Sequence, residues 1–313
     1  VRPDIPGESS GKISGKISGT TSTDAPSGRR LAEGVAFALL AISLWGGWFV
    51  ITRRTVGAGG VLGPADLVAL RFGIGGCLLL PVLLLRLRGL DRRALVDGAF
   101  LYVAQGAPFA LLISIALRYA PAGHGAALTP GTMPLFAALL GALMLGDRPG
   151  RLALAGLGLI AAGALTLAGG FRDADELFGY GLLLTAAFLW AAGTVRMRRS
   201  RLTALEATAL ICVGSLVTYI PLYLASGLSR LMEAPAEEVA IQAVYQGVMV
   251  SVVALIAFNR SLALIGRRTP AFTALVPVIA TLLAIPVLGE VPDPLHVGAI
   301  LAIGAGVLLT TRG

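Results

Sequence analysis

After about thirty polar residues the chain settles into ten apolar runs, at roughly 34–52, 65–85, 95–117, 123–145, 152–170, 179–196, 205–225, 239–262, 269–288 and 295–311. Short polar or Gly/Pro-containing turns separate them. Each run exceeds the 9 to 11 residues of a membrane-barrel strand and approaches the roughly 20 that a helix needs to cross a hydrocarbon core about 30 Å thick. Backbone groups in lipid must be bonded within their own segment, so the runs are expected to be helices. The pattern therefore predicts an all-α membrane protein with ten transmembrane helices.

Residues 1–30 are rich in Ser, Gly, Thr, Pro and Lys and repeat Gly-Lys-Ile-Ser at 11–14 and 15–18, which reads as a disordered tail. The tail lacks the apolar core of a cleavable signal, so the first helix is expected to direct insertion. Gly11-Lys12 suggests a phosphate loop, but Pro6 stands in place of its first glycine and Ile13 in place of its magnesium-binding hydroxyl.

Composition sharpens the membrane reading: 56% of residues are hydrophobic, 13% are charged and the mean hydropathy is +0.83. A net charge of +8 raises the question of nucleic acid, yet the arginines cluster between apolar runs and form no continuous basic face. They report topology instead. With the N-terminus in the cytoplasm, fifteen loop arginines fall inside and five (Arg53, Arg54, Arg118, Arg172 and Arg230) outside, which places both termini in the cytoplasm. Cys77 and Cys212 each sit in an apolar run without a CxxC or histidine neighbour, so neither a disulfide nor a metal site is expected, and no cofactor is implied.

The second half repeats the first. Leu44-Trp45, Val50, Arg53 and Arg54 match Leu189-Trp190, Val195, Arg198 and Arg199 at a shift of 145. Asp66 and Pro81 match Glu206 and Pro221 at 140, and Pro134, Leu145-Gly146-Asp147 and Pro149 match Pro277, Leu288-Gly289-Glu290 and Pro292 at 143. Gln105-Gly106 resembles Gln246-Gly247 in a register that disagrees with its flanks. The domains predicted are thus 31–171 and 172–313, five helices each. An odd number turns the second copy over, and inverted repeats are a feature of transporters.

The recurring Pro-x(10)-Leu-Gly-Asp/Glu element, with the Leu-Trp of the first run and Ala-Leu-Arg-Phe around Arg71 in the second, resembles the EamA domain, two of which characterise the drug/metabolite transporter superfamily. The resemblance covers residues 31–313. It implies a ten-helix carrier whose central cavity is lined mainly by helices 1, 3, 4, 6, 8 and 9 and which exports amino acids, metabolites or drugs. Asp147 stands where the family usually has glutamate.

Candidate site residues follow from what lipid penalises. Trp45 and Trp190 lie near the centres of their runs and not at the headgroup level that tryptophan prefers, so they are read as paired walls for a substrate. Trp48 is read as packing. Gln105 and Gln246 are amides near mid-helix, able to bond substrate or neighbouring helices. Thr129, Met133 and Thr273 complete the expected substrate-binding set. Pro130, Pro134, Pro270 and Pro277 each remove a backbone hydrogen bond and are read as hinges or helix breaks. Arg71 is read as a structural charge bridging the second helix to the core, with Asp66 as one candidate partner. Asp147 and Glu290, at symmetric helix ends, are read as structural, pinning loops or capping helices.

His124 and His296 are assigned to the membrane interface. No carboxylate sits mid-helix, which argues against a buried proton relay. Small residues spaced by four, Gly158, Ala162 and Thr166 in the fifth run and Gly298, Ala302 and Gly306 in the tenth, predict close packing of five against ten, with homodimerisation secondary to a monomer.

The function predicted is a secondary transporter in the cytoplasmic (inner) membrane, moving a small organic solute outward by alternating access. An enzyme is not expected, since two separated histidines and no buried acid make no catalytic cluster. A membrane scaffold without flux is the alternative.

Overall fold

The computed structural model describes residues 28–171 and 173–311, apart from the side chain of Arg267. Most of the predicted tail lies outside the described residues, and its last residues, Gly28–Arg30, form the first turn of a helix. Among the described residues nine helices are long and apolar enough to cross a membrane: α1 (Gly28–Val56), α2 (Pro64–Gly89), α3 (Arg92–Ala116), α4 (Ala122–Leu145), α5 (Arg151–Gly169), α6 (Ala174–Met197), α7 (Ala204–Ala225), α8 (Ala236–Ile265) and α9 (Arg268–Leu288). A shorter apolar helix, α10 (Pro294–Thr310), follows. Its 17 residues reach about 25 Å at 1.5 Å per residue, the lower limit for a span. Leu85, Leu143 and Leu165 are largely exposed, as lipid permits and water does not.

Local chemistry sets the helix ends. Asp91, Thr203 and Asp293 accept a hydrogen bond from the backbone N–H three residues on, and Asp173 does the same for α6. The repeated Leu-Gly-Asp/Glu element ends α4 and α9 alike. Gly146 (φ 73°) and Gly289 (φ 69°) take the left-handed conformation that stops the helix, and the acid that follows is turned back toward the bundle.

The most extensive helix pairings all run between the halves. α5 packs on α10, α2 on α7, α4 on α9, α1 on α8 and α9, and α6 on α3 and α4. Each pairing is its own counterpart or another's when α1–α5 are exchanged with α6–α10, so neither half has a core of its own.

The α5–α10 contact departs from the expected face. Gly158 and Gly298 have nothing beside them. Of the expected residues Gly306 is at the contact, where it meets Gly156 so closely that a Cβ on either would lie 2.6 Å from the other's carbonyl oxygen, and Gly163 packs against Ala299 and Ile303.

Irregularities recur in symmetric places. α4 breaks at Thr129–Thr132 and resumes at Met133–Leu145. α9 runs as a 3-10 helix over Gly266–Leu275 and becomes α-helical at Val276. Pro134 and Pro277 therefore both occupy the second position of a helical segment, where a missing N–H costs nothing. The Gln-Gly pairs also mark breaks: Gly106 interrupts α3, and Gln246-Gly247 lie where α8 widens into a π-helical stretch, Ala243–Val253. Serines tie both sites, with Ser215 Oγ accepting from the Ala107 N–H at 3.0 Å and Ser251 Oγ donating to the Gln246 carbonyl at 2.9 Å. Cys212 is buried and Cys77 is exposed.

Candidate functional site

The breaks in α4 and α9 leave a cavity of about 440 Å³ between the halves. Trp45, Trp48 and Phe49 of α1 form one wall and Trp190, Ala191 and Thr194 of α6 another. Thr129, Pro130, Met133 and Pro134 of α4 and Pro270, Thr273 and Val276 of α9 close it, with Arg71, Phe109 and Phe258 completing the lining. Aromatic contacts brace the walls: Trp45 meets Phe258 at 5.2 Å between ring centroids, and Phe109 links Trp190 at 4.8 Å to Trp48 at 6.4 Å. A larger groove, about 860 Å³, lies on the flank beside the α1–α2 turn, lined by Tyr102, Tyr219 and Tyr223 and remote from the tryptophans.

Eight of the expected residues are thereby brought to one cavity: Trp45, Thr129, Met133, Trp190, Thr273, Pro130, Pro134 and Pro270. Gln105, Gln246 and Pro277 are not. Gln105 donates weakly to the Trp190 carbonyl at 3.4 Å and lies against Gly193, behind the wall. Gln246 is 1% exposed and donates to Thr52 Oγ1 and Gln242 Oε1, holding α8 to α1. Both amides satisfy themselves on neighbouring helices, which the cost of an unbonded amide in lipid requires. Pro277 is buried in α9, and its carbonyl accepts from Thr281 Oγ1.

Two residues read as structural from sequence lie in the lining instead. Trp48 faces the cavity, and the Arg71 guanidinium lies over its ring, 4.5 Å from the centroid, with Phe72 at 5.5 Å. Asp66 is no partner for Arg71, because it caps α2 at the Gly63 N–H and binds the Tyr223 hydroxyl and the Arg230 N–H. Nε and Nη1 of Arg71 are shielded and make no hydrogen bond. A cation–π contact supplies about 2 kcal/mol when desolvated, whereas removing an ion from water costs several, so the tryptophan offsets only part of the burial. The missed signal in the sequence was that Arg71 has no counterpart: its match in the second half, at the shift of 140, is Ile211.

The two ends of the cavity differ. At the Arg53 end the helices are tied together. Arg53 Nε donates to Glu290 Oε1 at 2.9 Å, Arg53 Nη1 donates to the carbonyls of Leu117 and Arg118, and Glu290 Oε2 accepts from the Ala122 N–H at 2.8 Å. This joins α1, α3, α4 and α9. The same end carries a buried polar chain in which His124 Nδ1 meets the Tyr180 hydroxyl and Tyr180 donates to Glu176, both at 2.6 Å. The His296 ring stands edge-on to His124 at 4.6 Å and pairs with Asp293 at 2.9 Å. Both histidines are buried within the protein at these helix ends and not open to water, His124 against Tyr180 and His296 beside His124.

At the other end Arg198 bonds Asp147, the closest contact being Nη1 to Oδ2, with Nη2 to Oδ1 at 3.2 Å. This bond holds the Asp147 carboxyl below the usual carboxylate range and the Arg198 guanidinium above its own. The pair is more open than its counterpart: the side chains are 52% and 37% exposed, against 23% and 22% for Arg53 and Glu290. Beside it a second cavity of about 690 Å³ shares Pro134, Ala137, Pro270 and Thr273 with the central one, so the two cavities adjoin on the side of the Asp147–Arg198 pair.

Ten helices in two interlocking halves around an aromatic cavity define a membrane carrier of the inverted-repeat class. A family model, the EamA-like transporter family, matches residues 32–169 and 177–312, and the chain belongs to that family. It is a multi-pass membrane transporter with two EamA domains and not an enzyme. No curated protein matches the chain. A solved structure described as "Crystal structure of protein" is similar over 90% of this chain and 97% of its own, with 22% identity and a TM-score of 0.61, which is a likeness of fold.

Proposed function

We propose that this chain is a secondary carrier that moves a small organic solute by alternating access, with the tryptophan-lined cavity as its binding site. The observation that carries this reading is the unequal state of two equivalent ion pairs, part-buried and reinforced at the Arg53–Glu290 end, more exposed and beside a second cavity at the Asp147–Arg198 end. Exchanging the roles of the two halves would open the first pair and bury the second, which is what an inverted repeat permits at little energetic cost. The arginine asymmetry orients the Asp147–Arg198 end to the cytoplasm, so the conformation is one that loads from inside, as an exporter in the cytoplasmic membrane must. No nucleotide motif is present, and a gradient would drive the cycle.

The testing experiment is flux in proteoliposomes, using a panel of amino acids, organic acids and lipophilic cations. Saturable flux of one class, lost when Trp45 and Trp190 are both replaced by alanine, supports the reading. Absence of flux for every class from correctly inserted protein would favour a scaffold.

A further inference from the structure

We infer that the solute is an organic anion with an apolar or aromatic body, and that its carboxylate binds Arg71. The inference rests on reading the central cavity as the solute's site and adds its charge. Three observations converge. The guanidinium of Arg71 lines the cavity, and its Nε and Nη1 are shielded and make no hydrogen bond, so the charge is held there without a neutralising partner. Among the described residues the lining contains no carboxylate to neutralise that charge, so a bound ammonium would find no acidic partner there. The threonine hydroxyls of the lining are engaged: Thr129 Oγ1 faces the Leu183 carbonyl, Thr194 Oγ1 donates to the Trp190 carbonyl and Thr273 Oγ1 donates to the Pro270 carbonyl. One fixed positive charge in an otherwise aromatic chamber suits a single negative charge on a hydrophobic body. It suits neither a lipophilic cation nor a multiply charged phosphate.

Arg71 also departs from the repeat: its match at the shift of 140 is Ile211.

The chain provides its own reporter, because its three tryptophans, Trp45, Trp48 and Trp190, all line the cavity. Tryptophan fluorescence of the detergent-purified full chain would be titrated with four probes of similar shape: 3-phenylpropionate (anion), 3-phenylpropanamide (neutral), 3-phenylpropylamine (cation) and phenylalanine (zwitterion). The anion is expected to bind about tenfold or more tighter than the amide, since only it pairs with the guanidinium. Arg71→Met should abolish that preference, and Arg71→Lys, which keeps charge without the fork, should retain part of it. The comparison within the wild-type protein stands even if a variant fails to fold. Equal binding of anion and amide, tighter binding of the amine or of phenylalanine, or no response to any probe at millimolar concentration would overturn the inference. Saturable flux without an anion preference leaves the carrier reading intact while refuting the anion. Anion binding without flux does the reverse.

Discussion

Arg53 donates to Glu290 across the two halves of the molecule, and the repeat equivalents of both residues, Arg198 and Asp147, form the same bond at the opposite end of the bundle. Sequence matching pairs Arg53 with Arg198 and Asp147 with Glu290 as equivalents. Only the fold shows that each arginine is bonded to the other half's acid, so the two pairs are interfaces between the repeats. Glu290 also accepts from the Ala122 N–H at the start of α4, so beside the loop-pinning or capping role expected of Asp147 and Glu290 the two pairs join the repeats.

Glu290→Gln should weaken the Arg53 end. Losing one partner of a fully buried pair costs about 3–5 kcal/mol. About a fifth of each side chain is exposed here, so a loss of about 1–3 kcal/mol is expected after allowing for solvent screening. A cysteine introduced as Thr281→Cys, in the small cavity beside Glu290, should then react faster with an impermeant maleimide applied from that side. An unchanged rate would mean that the bonds of Arg53 to the Leu117 and Arg118 carbonyls, not the ion pair, hold this end.

Gly156→Val should destabilise the protein and Gly158→Val should not, because a Cβ at Gly156 meets the Gly306 carbonyl at 2.6 Å while the space beside Gly158 is empty. Overpacking of this kind typically costs about 1–3 kcal/mol. Thermal unfolding in detergent distinguishes the two. Equal melting temperatures would contradict the α5–α10 interface.

Trp45→Ala and Trp190→Ala should weaken solute binding more than stability. Each removes a large apolar surface from the cavity wall, worth about 1.5–3 kcal/mol, or about tenfold or more in affinity. Binding of a transported solute, measured at equal amounts of inserted protein, is the check. Unchanged affinity in both variants would move the site away from these rings.

Asp147 should act as a latch and not as a proton carrier. Its carboxyl is depressed by Arg198, so the pair contributes fully above the ordinary carboxylate value of about 3.9 and is lost only as pH falls through the lower folded-state value. Between about pH 5 and 8 its charge is constant. Asp147→Asn should therefore alter transport equally across that range. Loss of pH dependence alone would make Asp147 a coupling residue.

The spans, the repeat and the breaks at Pro134 and Pro277 were legible in the sequence, because length, apolarity and proline chemistry act locally. Trp45 and Trp190 reached a common cavity because their mid-span position depends on span length alone. What escaped depends on helix rotation. α5 and α10 are small and apolar all round, so spacing by four did not reveal that Gly156 and Gly163 face inward and not Gly158 and Ala162. Gln105 and Gln246 bond to neighbours whose proximity no local pattern encodes. No local pattern shows that the Arg71 guanidinium lines the cavity, and the groups that bury His124, namely Tyr180 and Glu176, lie far away along the chain.

The central claim is that one cavity is exposed alternately at the two ends. Its most direct test is the reactivity of a single cysteine, Met133→Cys in a Cys77→Ser, Cys212→Ser background, toward impermeant maleimides added to either side of oriented vesicles. The account predicts reaction mainly from the Asp147–Arg198 side, with Glu290→Gln shifting reactivity toward the Arg53 side and slowing it on the other. Labelling confined to one side in both proteins would contradict it.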